Sequence, residues 1–245
     1  MSEALALPTR KSEDWRYADL EALAALWPLP EAERVVVPAG GSFARTIVLD
    51  APGGVTRLAL SLGKGAVAAV HALNAGGDYG RIELDVTLHE GADFTLGAVQ
   101  LGAGSQTLEI VSTVRHIEPD ARSRQSVRSV LAGHATGTCL GKVAVAKHAI
   151  GADAEQSVRA MLLDRTATAN ARPELEIYAD DVKCAHGCAV GELDAQGLFY
   201  LESRGLTPPE AKKLMLQAFV AEAFAGAQDE ERLLALALGR LGELV

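Results

Sequence analysis

Gln125-Ser126-Val127-Arg128 returns thirty-one residues later as Gln156-Ser157-Val158-Arg159. Each copy follows a histidine, His116 or His148, and then a turn, Glu118-Pro119-Asp120-Ala121 or Gly151-Ala152-Asp153-Ala154. Strand text recurring at a fixed interval is what stacked coils demand, since strands in register lie about 4.8 Å apart and meet equivalent neighbours. One more strand-like run, residues 142–146, lies between the copies, so the interval reads as two coils of about fifteen residues each. A β-sandwich also gives short alternating strands, at roughly 8–12-residue spacing, but it needs no repeated text. The preferred fold is a mainly β chain wound as a parallel β-helix.

The texture around the repeat agrees. Alternating β-formers recur at 46–49, 81–88, 108–114 and 175–179, punctuated by Gly76-Gly77-Asp78, Gly102-Ala103-Gly104 and Gly151-Ala152-Asp153. Hydrophobic residues make up 49% of the chain but aromatics only 4%, so Ala, Val and Leu must fill a narrow interior. Three segments follow: a helical or coil arm at 1–34, the β-helix at 35–192 and a helical region at 193–245. In the arm, Ser12-Glu13-Asp14 reads as the cap of a helix carrying Trp15, Leu20, Leu23 and Leu26, stopped by Pro28 and Pro30. At the other end, Thr207-Pro208-Pro209-Glu210 is a strong helix start, with Leu214, Met215, Ala218, Phe219 and Glu222 as its expected stripe. A last helix from Gln228-Asp229 is apolar around much of its circumference and packs on this chain or awaits a partner.

A net charge of −9 and a pI near 5.2, with dispersed basic residues, argue against a nucleic-acid partner. Met1-Ser2-Glu3 leads to Arg10-Lys11 without a secretion signal, and no window holds the roughly 18 apolar residues of a membrane span. Cys139, Cys184 and Cys188, an odd set, read as reduced thiols. A cytoplasmic chain with no membrane partner is expected. No Gly-rich phosphate loop is present, since Gly63-Lys64-Gly65 lacks the spacing and the hydroxyl; ATP is expected to bind elsewhere.

The stretch Pro173-Glu174-Leu175-Glu176-Ile177-Tyr178-Ala179-Asp180-Asp181-Val182-Lys183-Cys184-Ala185-His186-Gly187 reads as one strand-like run placing a thiol and an imidazole on one face. Both are soft-to-borderline metal ligands, but two of them do not close a site, so a second pair must come from elsewhere. This run resembles a signature of the SufB/SufD family of the SUF iron–sulfur cluster assembly machinery. Pro8-Thr9-Arg10-Lys11-Ser12-Glu13-Asp14-Trp15-Arg16-Tyr17 and Leu198-Phe199-Tyr200-Leu201-Glu202-Ser203-Arg204-Gly205-Leu206 are similar to two further elements of that family. The text Ala179-Asp180-Asp181-Val182-Lys183-Cys184, followed by His186, sets SufD-type members apart from their SufB paralogues.

The resemblance implies a right-handed parallel β-helix with helical flanks, acting as a non-catalytic scaffold that shares a transient iron–sulfur cluster with SufB. It implies pairing with a SufB-like paralogue and a SufC-like ABC ATPase, or a homodimer in isolation. ATPase binding then falls to the C-terminal helices, at Leu198, Phe199, Tyr200, Arg204, Leu214 and Phe219. His186 matches the family histidine at the SufB–SufD interface; the plainer reading is a strand-end histidine bonded to a turn. Cys184 is a cluster ligand or a small buried hydrophobe. Cys188 stands where the family commonly has no thiol and is read as a buried filler in preference to a third donor; Cys139 is read as packing. Asp180 and Asp181 are read as turn caps, and His71, His89, His116, His134 and His148 as surface or turn residues. Two other classes stay open: a metal-free, self-associating β-helix, and a β-helix acyltransferase or carbohydrate-active enzyme.

Overall fold

A computed structural model of the chain describes residues 7–12, 15–50 and 53–244. Among these residues twelve strands alternate between two walls. One wall holds β1 (Glu33–Val37), β3 (Gly54–Leu62), β5 (Tyr79–Leu88), β7 (Thr107–His116), β9 (Thr136–Val145) and β11 (Thr168–Ile177), stacked in that order. The other holds β2 (Ser42–Leu49), β4 (Val67–Asn74), β6 (Asp93–Gly102), β8 (Arg122–Leu131), β10 (Asp153–Leu162) and β12 (Lys183–Gly191). Every pairing is parallel, so each coil gives one strand to each wall and the chain is a parallel β-helix.

The repeat sits where stacking predicts, with Gln125 opposite Gln156 and Arg128 opposite Arg159. Thirty-one residues, however, make one coil and not two. The strand between the copies, β9, belongs to the opposite wall, so about fifteen residues are half a turn. Coils also lengthen along the rod: Ser42 to its partner Val67 is twenty-five residues, Arg122 to Asp153 thirty-one. A fixed textual interval therefore survives only among the last coils.

Alternation places small apolar side chains inside. Leu60, Val86, Val114, Val143, Ala98, Val127 and Val158 belong to one continuous buried core, each larger member contributing roughly 1.5–3 kcal/mol by burial. The corners stack as well: Gly91 N–H donates to Pro119 O (2.9 Å), Asp120 N–H to Ile150 O (2.9 Å) and Gly151 N–H to Asp181 O (2.7 Å). Each of these donors has positive φ, and Asp120, at φ 61, is the row's one non-glycine among the described residues.

His71 and His116 depart from the surface reading. Both are buried, because each falls on an inward or covered position of its strand. His116 Nε2 lies 2.9 Å from Ser123 Oγ, and burial pushes its pKa down to about 4. His71 is also pushed down by burial, where it meets the carbonyl of Ala225.

Three helices follow the last coil: α2 (Ala195–Ser203), α3 (Pro208–Phe224) and α4 (Glu230–Leu244). The helix start at Thr207 forms as read, with the Glu210 carboxylate accepting the Thr207 N–H at 2.8 Å. The expected stripe does not: α3 buries Ala211, Leu216, Val220, Ala223 and Phe224, while Leu214 is 46% exposed. The outer face of the second wall decides this, because Leu73, Val99 and Val130 present the apolar surface that α3 and α4 cover with Phe224, Leu233, Ala237 and Leu241. Contact is so close that a Cβ on Gly97 would come within 1.8 Å of Ala223 O. Arg128, almost fully buried, adds an ion pair to Glu222 of α3 at 2.7 Å. The apolar circumference of α4 is thus used within the chain.

In the arm, α1 (Leu20–Ala25) is capped by Asp19, whose carboxylate accepts the Glu21 and Ala22 N–H groups at 3.1 Å. The cap expected at Ser12-Glu13-Asp14 is displaced; Glu13 and Asp14 lie outside the described residues. Trp15 precedes α1, edge-on to Trp27, with its ring 3.8 Å from the guanidinium of Arg81. Beneath it, Arg81 pairs with buried Glu109, which also accepts from Tyr79 Oη at 2.9 Å. No helix among the described residues is long and apolar enough to cross a membrane.

Candidate functional site

The last coil ends the rod. Strand β11 stops at Ile177, residues 178–182 turn the corner, and β12 starts at Lys183. The expected single run over 173–187 is therefore two strands, one on each wall. The break comes where the corner ladder recurs, with Tyr178 N–H bonded to Val145 O (3.0 Å) and Lys183 N–H to Ala152 O (2.8 Å). Asp180 and Asp181 are exposed on this corner, and Asp181 contributes its backbone carbonyl to Gly151.

Strand β12 pairs only with β10, since it closes its wall. Its register sets Cys184 over Ala154, His186 over Gln156 and Cys188 over Val158. Those partners are 2–4% exposed and face the interior, so the two thiols and the imidazole share the inward face of a coil that, among the described residues, has no further coil above it. Cys184 is half-buried and packs on the core; His186 and Cys188 are exposed. The filler reading of Cys188 is corrected, because nothing among the described residues covers the rod's last tier and the thiol is left exposed. Nor is His186 a bonded turn histidine: among the described residues its ring makes no hydrogen bond, and it lies within the strand.

Donors at alternate strand positions sit roughly 7 Å apart along the backbone, whereas ligands about 2.0–2.3 Å from one ion must converge. Accordingly, no group of three or more His, Cys, Asp or Glu among the described residues is arranged to hold a metal ion. The row sets soft and borderline donors along an open edge, too far apart to enclose an ion by themselves.

The three thiols differ chemically. Burial pushes Cys139 up to about 12, helped by nearby Cys188, and it is fully enclosed. Burial also raises Cys184, while the Ala154 backbone acts in the opposite sense. On the folded chain an alkylating reagent is therefore expected to modify Cys188 at least about tenfold faster than Cys139, with Cys184 between them. Peptide mass spectrometry over time checks this; equal labelling of Cys139 would remove it from the closed core.

The residues singled out on the helices are not all exposed. Phe199 and Tyr200 of α2 are 73% and 56% exposed, and the Arg204 guanidinium lies 5.1 Å from the Tyr200 ring. Leu214 is exposed too, whereas Leu198 is half-buried. Phe219 turns to the second wall, half-buried and 5.8 Å from Arg128. Sequence reading passed over Gln156, directly beneath His186 in the register. The signal was available: Gln125 and Gln156 are polar at a repeated inward position.

Residues 54–219 match the SUF system FeS cluster assembly SufBD core domain. The chain is 30% identical over 172 residues to the iron–sulfur cluster assembly protein SufD of Escherichia coli K12, an overlap of 70% of this chain and 41% of that protein. It is 35% identical over 151 residues to an iron–sulfur cluster assembly SufBD family protein of Synechocystis, covering 61% and 33% respectively. Over 119 residues it is 37% identical to the chloroplastic protein ABCI7 of Arabidopsis thaliana, covering 48% and 25%. The chain thus spans less than half the length of these relatives.

Proposed function

The chain belongs to the SufBD core family of the SUF iron–sulfur cluster system, and from that premise we propose that it is a scaffold subunit offering ligands to a nascent cluster at the open end of its rod. The carrying observation is the inward row Cys184, His186 and Cys188 on the last strand, with no completing donors in the described chain. A SufB-like companion supplies the missing thiolate, and the iron and sulfide are cargo held across the seam. His186 gives a neutral imidazole, and Cys184 and Cys188 give thiolates once they lose their protons. The exposed pair Phe199 and Tyr200, with Leu214, offers an apolar foothold for a SufC-like ATPase; ATP hydrolysis belongs to that partner. The bonded interface between α3 and the second wall, through Arg128, Glu222 and Gly97, carries partner movement to the coils.

Anaerobic purification from the native cell, with iron and sulfide analysis and identification of bound chains, tests this reading. Expected are a SufB-like chain, an ATPase and cluster iron in the same fraction. A metal-free homodimer with no ATPase, before and after reconstitution with iron and sulfide, would sink it.

A further inference from the structure

We propose that Gln156 is the positioning residue for His186: when the imidazole, unbonded among the described residues of this structure, turns inward over the coil, the Gln156 amide Oε1 accepts its N–H and so leaves the lone pair of the other ring nitrogen turned to the seam. This rests on the reading of His186 as a donor. Three tiers of the interior carry the argument. On the second wall Gln125, Gln156 and His186 stack in register; on the first, Ser112, Gly141 and Pro173 do the same. In the lowest tier Ser112 Oγ donates across the coil to Gln125 Oε1 at 2.7 Å. One tier up, the serine is replaced by Gly141, and a Cβ there would meet Gln156 Nε2 at 2.9 Å. The glycine thus makes room for the amide but brings no donor.

The consequence is a carbonyl in the wrong place for stability alone. Gln156 is 2% exposed and its Oε1 has no hydrogen-bond partner, an arrangement that buried amides rarely keep without cause. In the tier above, Pro173 has no N–H to give, while His186 sits over Gln156 on the same inward face. An imidazole that binds a metal through one nitrogen has its tautomer fixed by the hydrogen bond made at the other. Gln156 supplies the acceptor for that bond.

Long-range 1H–15N spectra of the metal-free chain at mildly alkaline pH read the tautomer directly, with exposed His134 and His148 as internal references and His186 assigned by its loss in H186A. The His186 tautomer ratio is expected to differ from those references. Q156L should return it to their value, and so should G141A, which displaces the amide without removing it; Q156E, which keeps an acceptor, should hold the wild-type ratio. A wild-type His186 indistinguishable from His134 and His148, or a ratio unmoved by Q156L, overturns the proposal. Ferrous iron affinity of the assembled complex should fall about tenfold or more in Q156L. Because the spectra need neither iron nor partner, the two readings fail separately. An unmoved ratio with an inactive H186A complex removes only Gln156. A responsive ratio with a fully active H186A complex removes the donor role of His186.

Discussion

Replacing His186 with Ala is expected to lower cluster formation in the reconstituted three-component complex by at least about tenfold, and toward a hundredfold if no other donor replaces it. Positioning partners of metal ligands already cost 10–100-fold when removed, roughly, and a direct donor should cost no less. The same substitution should leave the fold alone. His186 is exposed on the terminal strand, its ring bonds to nothing among the described residues, and surface changes of that kind stay within about 0.5 kcal/mol. The measurement is iron and acid-labile sulfide per complex after anaerobic reconstitution, with unfolding followed on the isolated chain. A fully loaded H186A complex would take the residue out of the mechanism, and a large loss of stability would make it a structural histidine. C184A and C188A distinguish the thiols within the same assay. The deeper donor, Cys184, should matter more if the cluster seats against the coil; exposed Cys188 should matter more if it bridges outward.

How far the residues announced this arrangement varied with the kind of constraint. The repeat at Gln125 and Gln156 exposed the stacking because parallel coils place equal side chains over one another. The same repeat misled on coil size, since strands on opposite walls are interleaved in the chain and nothing in the text assigns them to walls. Strands β4 and β6 escaped a reading based on alternation because both faces are covered: their inner residues fill the rod while Leu73 and Val99 lie under the helices. The stripe of α3 failed for a related reason, in that two apolar faces were available and the wall, not the helix, chose Leu216, Val220 and Phe224. Cys184 and His186 were legible as a pair two apart on a strand. Their openness to a companion was not, because it depends on β12 being the last strand of its wall. Cys188 was misjudged on the same ground.

Arg81→Ala is expected to be the most damaging substitution away from the seam, costing about 3–5 kcal/mol by the cost typical of breaking a buried ion pair. Arg81 and Glu109 are each 1% exposed on the outer face of the first wall, where their pairing is joined by Glu83 at 2.6 Å and by Tyr79 Oη. Burial pushes the Glu109 carboxyl up while the guanidinium pulls it down. Removing Arg81 leaves the carboxyl enclosed with a phenol as its main remaining partner. It also strips Trp15 of the cation under its ring, a contact worth about 0.5–2 kcal/mol. Trp15 and Trp27 are the chain's two tryptophans, so their fluorescence reports the arm alone. R81A should therefore shift the emission to the red at denaturant concentrations where the coils still hold, and lower the global midpoint as well. Replacing both charges with apolar residues of similar size, R81M/E109L, should recover most of the loss, because neither charge is then left enclosed without its counterpart. If R81A costs less than about 1 kcal/mol, or if the double replacement is no better than the single one, the pair does not hold the arm to the rod. The seat of Trp15 would then have to be sought in Trp27 and α1.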